Sequence, residues 1–434
     1  MNPLFRNDAQ GEYPDSWYAA TAEVPPARAA LAGDLSVDVC ILGAGYTGLS
    51  AALFLAQRGM SVAVLDAHRV AFGASGRNGG QVGSGFNKDQ VWLEKRMGEG
   101  PARALWEMAE AAKAQVREMC ATHAPDARYT PGIAHGAYSA SEAAGWSEYA
   151  EHLAARYGYD QIETLSEDAL REVVKSPLYR GGEIDMGAGH VHPLRYGLGL
   201  ARAAEAAGAR IFEHSEVIRI EEGSTVTFHT PNGRVRARHA VLAGNGYFPV
   251  IERRVSARVM PINSFIAATE PLGPRAAEVL GRDIAVADSK FVVNYYRMSE
   301  DRRFLFGGRE SYSIGFPADI TTALRRRMET LFPQLAGVRI DHVWGGTLGI
   351  TVTRLPCVMR VGPNILNASG FSGHGVALSG FAGRVMAEAI AGQTERFDIL
   401  SKLPVPQFPG GAALRAPLLT LAMTWFSLRD RLGV

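Results

Sequence analysis

The clearest pattern of hydrophobic and polar positions lies in residues 37–66. An apolar run at 37–42 is followed by a glycine-rich turn at 43–48, a stretch with helical spacing, and a second apolar run at 61–65 that ends on Asp66. Short apolar runs bounded by glycine are typical of buried strands, and the longer stretch between them is typical of a helix. The segment is therefore predicted to form a strand, a tight turn, a helix and a parallel strand.

The spacing of the glycines indicates what this unit binds. Gly43 permits the tight turn, Gly45 keeps a Cβ atom away from an approaching ligand, and Gly48 lets the helix lie close to the sheet. The start of the helix directs unpaired N–H groups and the positive end of its dipole at phosphate oxygens. Asp66 can accept hydrogen bonds from a ribose diol. The unit therefore predicts a site for a dinucleotide.

A second glycine-rich loop, at residues 72–81, indicates which dinucleotide to expect. Its four glycines and its small Ala74 and Ser75 surround Arg77 and Asn78. So many small residues let the backbone approach a flat polar ligand such as a flavin, whereas an ordinary turn needs only two or three of them. A nicotinamide dehydrogenase would have no use for this loop and ranks last among the alternatives.

The remaining chain alternates helical and strand patterns. Helices are predicted at 102–128, 140–157, 194–207, near 320–332 and at 376–390, with a turn at 187–193. Strands are predicted at 210–212, 216–220, 235–243, 264–269, 291–297, 304–308, 338–344 and 365–370. The strand at 235–243 leads into a glycine turn at 244–246, so we expect the chain to return there to the dinucleotide-binding sheet.

These patterns predict an α/β fold with a discontinuous Rossmann-type FAD-binding domain (parallel sheet) and an α+β substrate domain with a mainly antiparallel sheet. The FAD-binding domain is expected to comprise 34–87, 188–250 and 346–395, and the substrate domain 88–187 and 251–345. Residues 1–33 are interpreted as an N-terminal arm and residues 396–434 as a tail packed on the body. For the apolar tail segment 414–432, this packing is favoured over contact with a membrane surface or a carrier protein.

Composition and charge exclude several classes of partner. The chain has 434 residues, of which 47% are hydrophobic and 21% charged, and its net charge is +1, so nothing favours nucleic acid or an anionic membrane. No apolar window is long enough to span a bilayer, and residues 1–33 show no signal-peptide pattern. Cys40, Cys120 and Cys357 lie far apart without metal-ligand spacing, so we expect no metal and a reducing, cytoplasmic environment.

Four glycine turns, at 43–48, 73–81, 243–246 and 370–375, together resemble those of the FAD-dependent amine oxidases of the D-amino-acid oxidase superfamily. The resemblance covers almost the whole chain. Within the superfamily, the segments 73–81, 295–297, 306–309 and 425–430 are most similar to members that oxidise conjugated diamines. The small-molecule substrate implied by this resemblance is an amine.

The resemblance implies which residues contact FAD. The glycine turn would hold the pyrophosphate, Asp66 the adenosine ribose, and Val217 the adenine, while the loop 73–81 would line the ribityl chain and the ring. The helix that begins after His374 would direct its N-terminus at the pyrimidine edge of the flavin. The full implied set is Gly43, Ala44, Gly45, Tyr46, Thr47, Gly48, Asp66, Ala67, Ser75, Arg77, Asn78, Gly79, Gly80, Gln81, Val217, Gly244, Asn245, Gly370, Gly373, His374 and Gly375.

Two differences from the resembled family bear on how FAD is attached and on which substrates are expected. Residues 347–350 contain no cysteine and Arg77 stands where other members carry a histidine, so FAD is expected to be bound non-covalently. The lysines that serve sarcosine oxidases are replaced by apolar residues at 304–306 and by Ala377. Substrates with an α-carboxylate, such as sarcosine or glycine, are therefore disfavoured. The same replacements leave undecided whether oxygen or another molecule is the physiological electron acceptor.

The predicted reaction converts a primary or secondary amine to an imine that water hydrolyses to an aldehyde, with oxygen as the acceptor and hydrogen peroxide as the product. His374, Tyr295, Trp344 and Arg309 are the candidate pocket residues, although the two aromatic residues also fit a core role and Arg309 a surface role. One alternative is an FAD dehydrogenase that passes electrons to a quinone or a carrier. Another is a flavin-binding protein without turnover.

Overall fold

The computed structural model describes residues 3–248, 251–290, 292–311 and 315–410, apart from the side chains of Pro3, Arg309 and Glu310. The α-helices are α1 (Trp17–Thr21), α2 (Tyr46–Ala56), α3 (Gln90–Met97), α4 (Glu99–Thr122), α5 (Ala140–Tyr157), α6 (Glu167–Val173), α7 (Pro193–Ala206), α8 (Arg253–Ser256), α9 (Thr321–Leu331), α10 (Gly375–Ile390) and α11 (Glu395–Ser401). The strands are β1 (Gly33–Leu42), β2 (Val62–Leu65), β3 (Gln81–Val82), β4 (Thr130–Ala137), β5 (Ile162–Ser166), β6 (Gly181–His190), β7 (Arg210–Phe212), β8 (Arg219–Glu221), β9 (Val226–Thr230), β10 (Gly233–Leu242), β11 (Met260–Pro271), β12 (Ala285–Asp288), β13 (Tyr295–Met298), β14 (Arg303–Ser311), β15 (Ile340–Ile350), β16 (Cys357–Gly362) and β17 (Ile365–Ser369).

The first sheet has the strand order β16-β17-β10-β1-β2-β7, with β9 and then β8 added beside β10. The pairs from β17 to β7 are parallel, and β16 is antiparallel to β17. All four residues of β2 are buried, as expected for a strand with helices or strands against both faces. Helices α2 and α10 pack so closely that a Cβ atom at Gly383 would lie 2.2 Å from the carbonyl oxygen of Thr47. The predicted parallel sheet, to which the chain returns late, is therefore confirmed.

The second sheet has the order β15-β11-β14-β13-β12-β4-β6-β3, with β5 on β6. Its pairs are antiparallel except for β12 and β4. Helix α9 covers part of it with Leu324, Met328 and Leu331, whose spacing places them on one helix face. These side chains pack in one cluster with Phe304 and Phe332. The predicted α/β class, with one parallel and one mainly antiparallel sheet, is confirmed.

The prediction of a turn at 187–193 is wrong for its first half, because β6 continues to His190. Glycine in this strand serves close packing rather than a turn. A Cβ atom at Gly187 would lie 2.2 Å from the hydroxyl oxygen of Tyr159, and one at Gly189 would lie 2.6 Å from the ring of Tyr129. The sequence analysis also did not predict strands β4 and β5, because buried and exposed positions do not alternate regularly along them.

The two ends of the chain differ in how far the structure describes them. In the N-terminal arm, α1 is anchored by Trp17 and Tyr18, which are both buried. The apolar segment 414–432 lies outside the described residues, so its predicted packing stays a prediction, as do the predicted domain ranges. Among the described helices, none is both long and apolar enough to cross a membrane.

Candidate active site

A cleft lies at the carboxyl ends of β1, β2 and β10. Ligands of open parallel sheets bind at this edge, where turns from several strands meet. The predicted cofactor residues that line the cleft are Gly43, Gly45, Asp66, Ala67, Ser75, Val217, Gly244 and Asn245. Positions separated by up to about two hundred residues are thus brought together around one elongated space.

The glycine turn after β1 leaves no room for larger side chains. A Cβ atom at Gly48 would lie 1.9 Å from the carbonyl oxygen of Gly43, and one at Gly45 would lie 2.8 Å from Oγ of Ser75. Gly43 has a φ of +99°, which side-chain-bearing residues rarely adopt. Helix α2 begins at Tyr46, whose side chain is buried, as is that of Thr47. The backbone of these two residues therefore lies in the first turn of α2, at the positive end of the helix dipole.

Asp66 joins the turn after β1 to the turn after β2. Its Oδ2 accepts a hydrogen bond from the Ala44 N–H at 2.7 Å, and its Oδ1 accepts one from the His68 N–H at 2.8 Å. Burial raises the pKa of Asp66 to about 6, because desolvation outweighs these two hydrogen bonds. Each carboxylate oxygen has a further lone pair that can accept a bond from a ribose hydroxyl.

The loop 73–81 is held by its own side chains. Nδ2 of Asn78 donates to the carbonyl oxygens of Ala74 and Ser75, and its Oδ1 accepts from the Gly80 N–H at 2.7 Å. Oγ of Ser75 accepts from the Tyr46 N–H at 3.1 Å and so connects the loop to the start of α2. Asn78, predicted as a cofactor contact, therefore uses its side chain to shape the loop.

Arg77, also predicted as a cofactor contact, is buried beneath the same loop. Its Nη1 lies 2.9 Å from Oδ1 of Asp8, and Nη1 and Nε also donate to the carbonyl oxygens of Gly345 and Phe72. The guanidinium lies 4.4 Å from the ring centre of Phe72. Nη2 is buried and has no hydrogen-bond partner among the described residues, which leaves its two N–H bonds for an added polar group.

Two predicted pocket residues support the loop from the second sheet. The ring of Tyr295 fills the space beside Gly79 and Gly307, where Cβ atoms would approach it to 2.8 Å and 2.2 Å. Nε1 of Trp344 donates to the carbonyl oxygen of Arg77 at 3.0 Å. Gln81 is tied to the same sheet, since its Nε2 donates to a backbone carbonyl of β12. The side chain of the fourth candidate, Arg309, lies outside what the structure describes.

His374 occupies the position immediately before α10. Its Nε2 lies 3.1 Å from the carbonyl oxygen of Gly85, so this nitrogen carries the proton that is shared. Burial lowers the pKa of His374, the Gly85 carbonyl partly opposes this, and the charge of His135 adds a smaller lowering. The imidazole is therefore neutral at pH 7 and closes the gap beside Gly83, where a Cβ atom would lie 2.6 Å from its ring.

The last two glycine turns are linked by Asn245. Its Oδ1 accepts from the Gly370 N–H at 2.9 Å, and its φ of +49° places it in the left-handed region. Gly370 and Gly373 have φ values of +70° and +88°, and Gly375 is the first residue of α10. A hydrogen bond thus joins the turn after β10 to the turn before α10.

A buried polar cluster beside His374 was missed by the sequence analysis. Nζ of Lys113 donates to Oγ of Ser84 and to the hydroxyl of Tyr159, and both hydroxyls donate to the carboxylate of Asp185. Lys113 is 0% exposed although it carries a charge. In the sequence, a lysine at an otherwise apolar position of α4 was the one sign of this polar cluster. One partner of this lysine, Glu110, lies 2.7 Å from Nζ and three positions earlier on the same helix, whereas Ser84, Tyr159 and Asp185 come from three other segments and could not be predicted.

The residues present fit FAD. The cleft contains glycines that would let a pyrophosphate approach the backbone and a carboxylate that could accept from a ribose hydroxyl, and outside its lining Arg77 carries a buried nitrogen without a partner among the described residues. The fold and this cleft define a flavin-dependent oxidoreductase. The chain belongs to the family described as FAD dependent oxidoreductase, whose model matches residues 38–389.

Similarity to individual proteins extends over nearly the full chain. The chain is 41% identical over 420 residues to the probable oxidoreductase OrdL of Rhizobium meliloti, covering 96% of this chain and 97% of that protein. It is 38% identical over 425 residues to the gamma-glutamylputrescine oxidoreductase of Escherichia coli, covering 98% and 100% of the two chains. Among solved structures, glycine oxidase from Geobacillus kaustophilus matches with a TM-score of 0.73 and 21% identity, covering 87% of this chain and all 100% of that one, which shows the shared fold.

Proposed function

We propose that the protein oxidises a primary or secondary amine that carries a further substituent, with gamma-glutamylputrescine or a related conjugated diamine as the substrate. The observation that carries this proposal is the 38% identity to gamma-glutamylputrescine oxidoreductase over 98% of the chain. The name of that relative gives its substrate as gamma-glutamylputrescine, a conjugated diamine. The product is an imine, which water hydrolyses to an aldehyde and ammonia or an amine.

The second sheet supplies the substrate side of the proposed site. When bound, FAD accepts a hydride from the carbon beside the amine nitrogen. Tyr295, between Gly79 and Gly307, fixes the distance between the sheet and the loop 73–81 and so orients the donor carbon. Neutral His374 places no positive charge beside the amine, so it does not repel a cationic substrate that must lose a proton before oxidation.

Non-covalent attachment of FAD is part of the proposal. Residues 347–350 lie in β15 and contain no cysteine. Cys357 lies in β16, is 2% exposed and contacts the sulfur of Met359 at 3.8 Å. Burial raises the pKa of its thiol to about 12, so it stays a thiol and is a poor nucleophile. The three free, buried cysteines also support a reducing compartment such as the cytoplasm.

The experiment is an anaerobic panel of amines scored by bleaching of the flavin absorbance, followed by an aerobic measurement of peroxide formed per amine consumed. We expect conjugated diamines to bleach the flavin faster than α-amino acids, and one peroxide to form per amine because oxygen is the proposed acceptor. Faster bleaching by α-amino acids would contradict the proposed substrate. If amines bleach the flavin but no peroxide forms, the electron acceptor is a quinone or a carrier protein. If no amine bleaches the flavin, the protein binds flavin without turning over amines.

A further inference from the structure

A histidine–carboxylate pair on the second sheet has one unused oxygen. His135 of β4 and Glu183 of β6 are direct cross-strand partners, and Nδ1 of His135 lies 3.1 Å from Oε1 of Glu183. Glu183 is 8% exposed, and its Oε2 is buried without a hydrogen-bond partner among the described residues. A buried carboxylate oxygen that lacks a partner is costly, so such an atom indicates that a donor is missing.

The pair lies on the sheet face that carries the substrate-side candidates. Ala287 of β12 is the register partner of both His135 and Tyr295, so these three side chains share one face of the sheet. After burial, which is the larger cause, the charge of His135 also lowers the pKa of His374, so the two histidines are close. The pair therefore borders the region between Tyr295 and His374, where the substrate is proposed to bind.

One aromatic ring lies beside the pair on the helix side. The ring of Trp146 in α5 lies edge-on to His135 with 5.9 Å between the ring centres. The ring of Tyr149, one helical turn later, stacks on that of His152 with 6.4 Å between the ring centres, and its hydroxyl accepts from the Gln90 N–H. The rings of Trp146 and Tyr149 are half-buried, and the side chain of His135 is 35% exposed. A carboxylate with an aromatic ring nearby is an environment that binds ammonium groups.

The neighbouring acid is not available for the same role. Asp185, two residues along β6, accepts from the hydroxyls of Ser84 and Tyr159 and from the N–H groups of Gly187 and Ala188. Both hydroxyls also accept from Nζ of Lys113, whose ion pair is with Glu110. Glu183 is therefore the carboxylate on this face with an oxygen free to receive a ligand.

We propose that Glu183, whose Oε1 is bonded to His135, uses its Oε2, with the ring of Trp146 nearby, to bind a second, non-reacting ammonium group of the substrate. This inference rests on the proposed function and specifies its substrate class: an amine whose other end carries a positive charge, such as the α-ammonium of a γ-glutamyl conjugate. The N–H donors of that group satisfy Oε2 of Glu183, while the reacting amine lies toward Tyr295. Glu183 thereby determines specificity and takes no part in bond breaking.

The test compares two substrates that differ only in this ammonium group. Wild-type protein and Glu183→Gln are assayed with γ-glutamyl-1,4-diaminobutane and with the glutaryl conjugate, which lacks the α-ammonium. Losing a charge-assisted hydrogen bond is expected to raise KM of the variant for the γ-glutamyl conjugate about 10- to 100-fold, with kcat changed less than about threefold. KM for the glutaryl conjugate should change less than about threefold. Glu163→Gln, an exposed acid on neighbouring β5, is the matched control and should behave as wild type.

Other outcomes decide against the proposal. Equal losses for both conjugates would assign Glu183 a purely structural role. If Glu183→Gln loses flavin or fold, Glu183→Asp supplies the test, because it keeps the charge but withdraws it by one methylene, and the same selective rise in KM is expected. Calorimetric titration of both proteins with the two conjugates measures the subsite independently of turnover. If wild type binds the γ-glutamyl conjugate more tightly than the glutaryl conjugate but no amine bleaches its flavin, the proposed reaction is refuted while the proposed subsite stands.

Discussion

Replacing Asp8 with alanine tests how the N-terminal arm supports the loop 73–81. Asp8 provides the counter-ion of Arg77, whose side chain is 2% exposed while that of Asp8 is 14% exposed. Both carboxylate oxygens lie within 3.0 Å of Nη1. The same arm contributes Leu4 to the wall of the cofactor cleft. The variant therefore leaves a buried guanidinium without its anion directly beneath the proposed flavin site.

The magnitude follows from the burial of the pair. Removing one partner of a buried ion pair costs about 3–5 kcal/mol of folding free energy, because the remaining charge stays desolvated. Arg77 keeps its bonds to the carbonyl oxygens of Phe72 and Gly345, and water can enter where Asp8 was. We therefore expect the lower end, about 3 kcal/mol, which corresponds to about a 100-fold change in an equilibrium constant.

The assay combines urea unfolding with the flavin content of the purified protein. Asp8→Ala should lower the urea midpoint and release flavin at lower urea concentration than wild type. Asp15→Ala is the matched control, since Asp15 lies on the same arm with its side chain 88% exposed and pairs only with His342 among the described residues. An exposed pair contributes about 0–1 kcal/mol. Equal midpoints for the two variants would refute the reasoning.

Three further predictions concern the cofactor turn, acid stability and flavin attachment. Gly48→Ala should abolish retention of FAD, because its Cβ atom would lie 1.9 Å from the carbonyl oxygen of Gly43, whereas Gly100→Ala, with no atom within 4 Å, should retain it. Burial lowers the pKa of His192 to about 2, so the unfolded chain binds one more proton between about pH 2 and 6.5. Stability should fall as pH falls below 6.5, by up to about 1.4 kcal/mol per pH unit from this group, and His192→Asn should reduce that slope. Acid precipitation should release all flavin into the supernatant.

Each of these has a contradicting result. Full flavin absorbance in Gly48→Ala would show that the turn tolerates a side chain. For His192→Asn, asparagine keeps an acceptor for the Arg195 N–H at the start of α7, so helix capping is preserved while titration is lost. Between pH 4 and 6.5, the slope of unfolding free energy against pH should be smaller in the variant than in wild type by about one proton. The same slope in both proteins would contradict the low pKa of His192. Flavin that remains in the acid pellet would indicate a covalent bond.

Local spacing was sufficient to predict the first strand, glycine turn, helix and second strand, since these contacts fall within about thirty residues. The acidic residue at the end of β2 could also be placed, because a strand of known start leads to one edge of the sheet. The sequence was less informative for Arg77 and Asn78. Small residues around them indicated a ligand loop, but the side chains themselves bond to Asp8 and to the loop backbone. Composition could not separate these two uses of a polar residue.

The sequence by itself therefore determined the dinucleotide unit, the α/β class and the family, because each depends on short-range order of glycine and apolar residues. Only the tertiary structure decided which polar groups meet. His135 and Glu183 are 48 positions apart, Lys113 and Tyr159 are 46 apart, and Arg77 and Asp8 are 69 apart. Their pairing depends on strand register and helix docking, which bury charges far apart in the chain against one another. A one-residue shift in the register of β6 would turn Glu183 to the other face of the sheet, so the proposed ammonium subsite exists only in the folded protein.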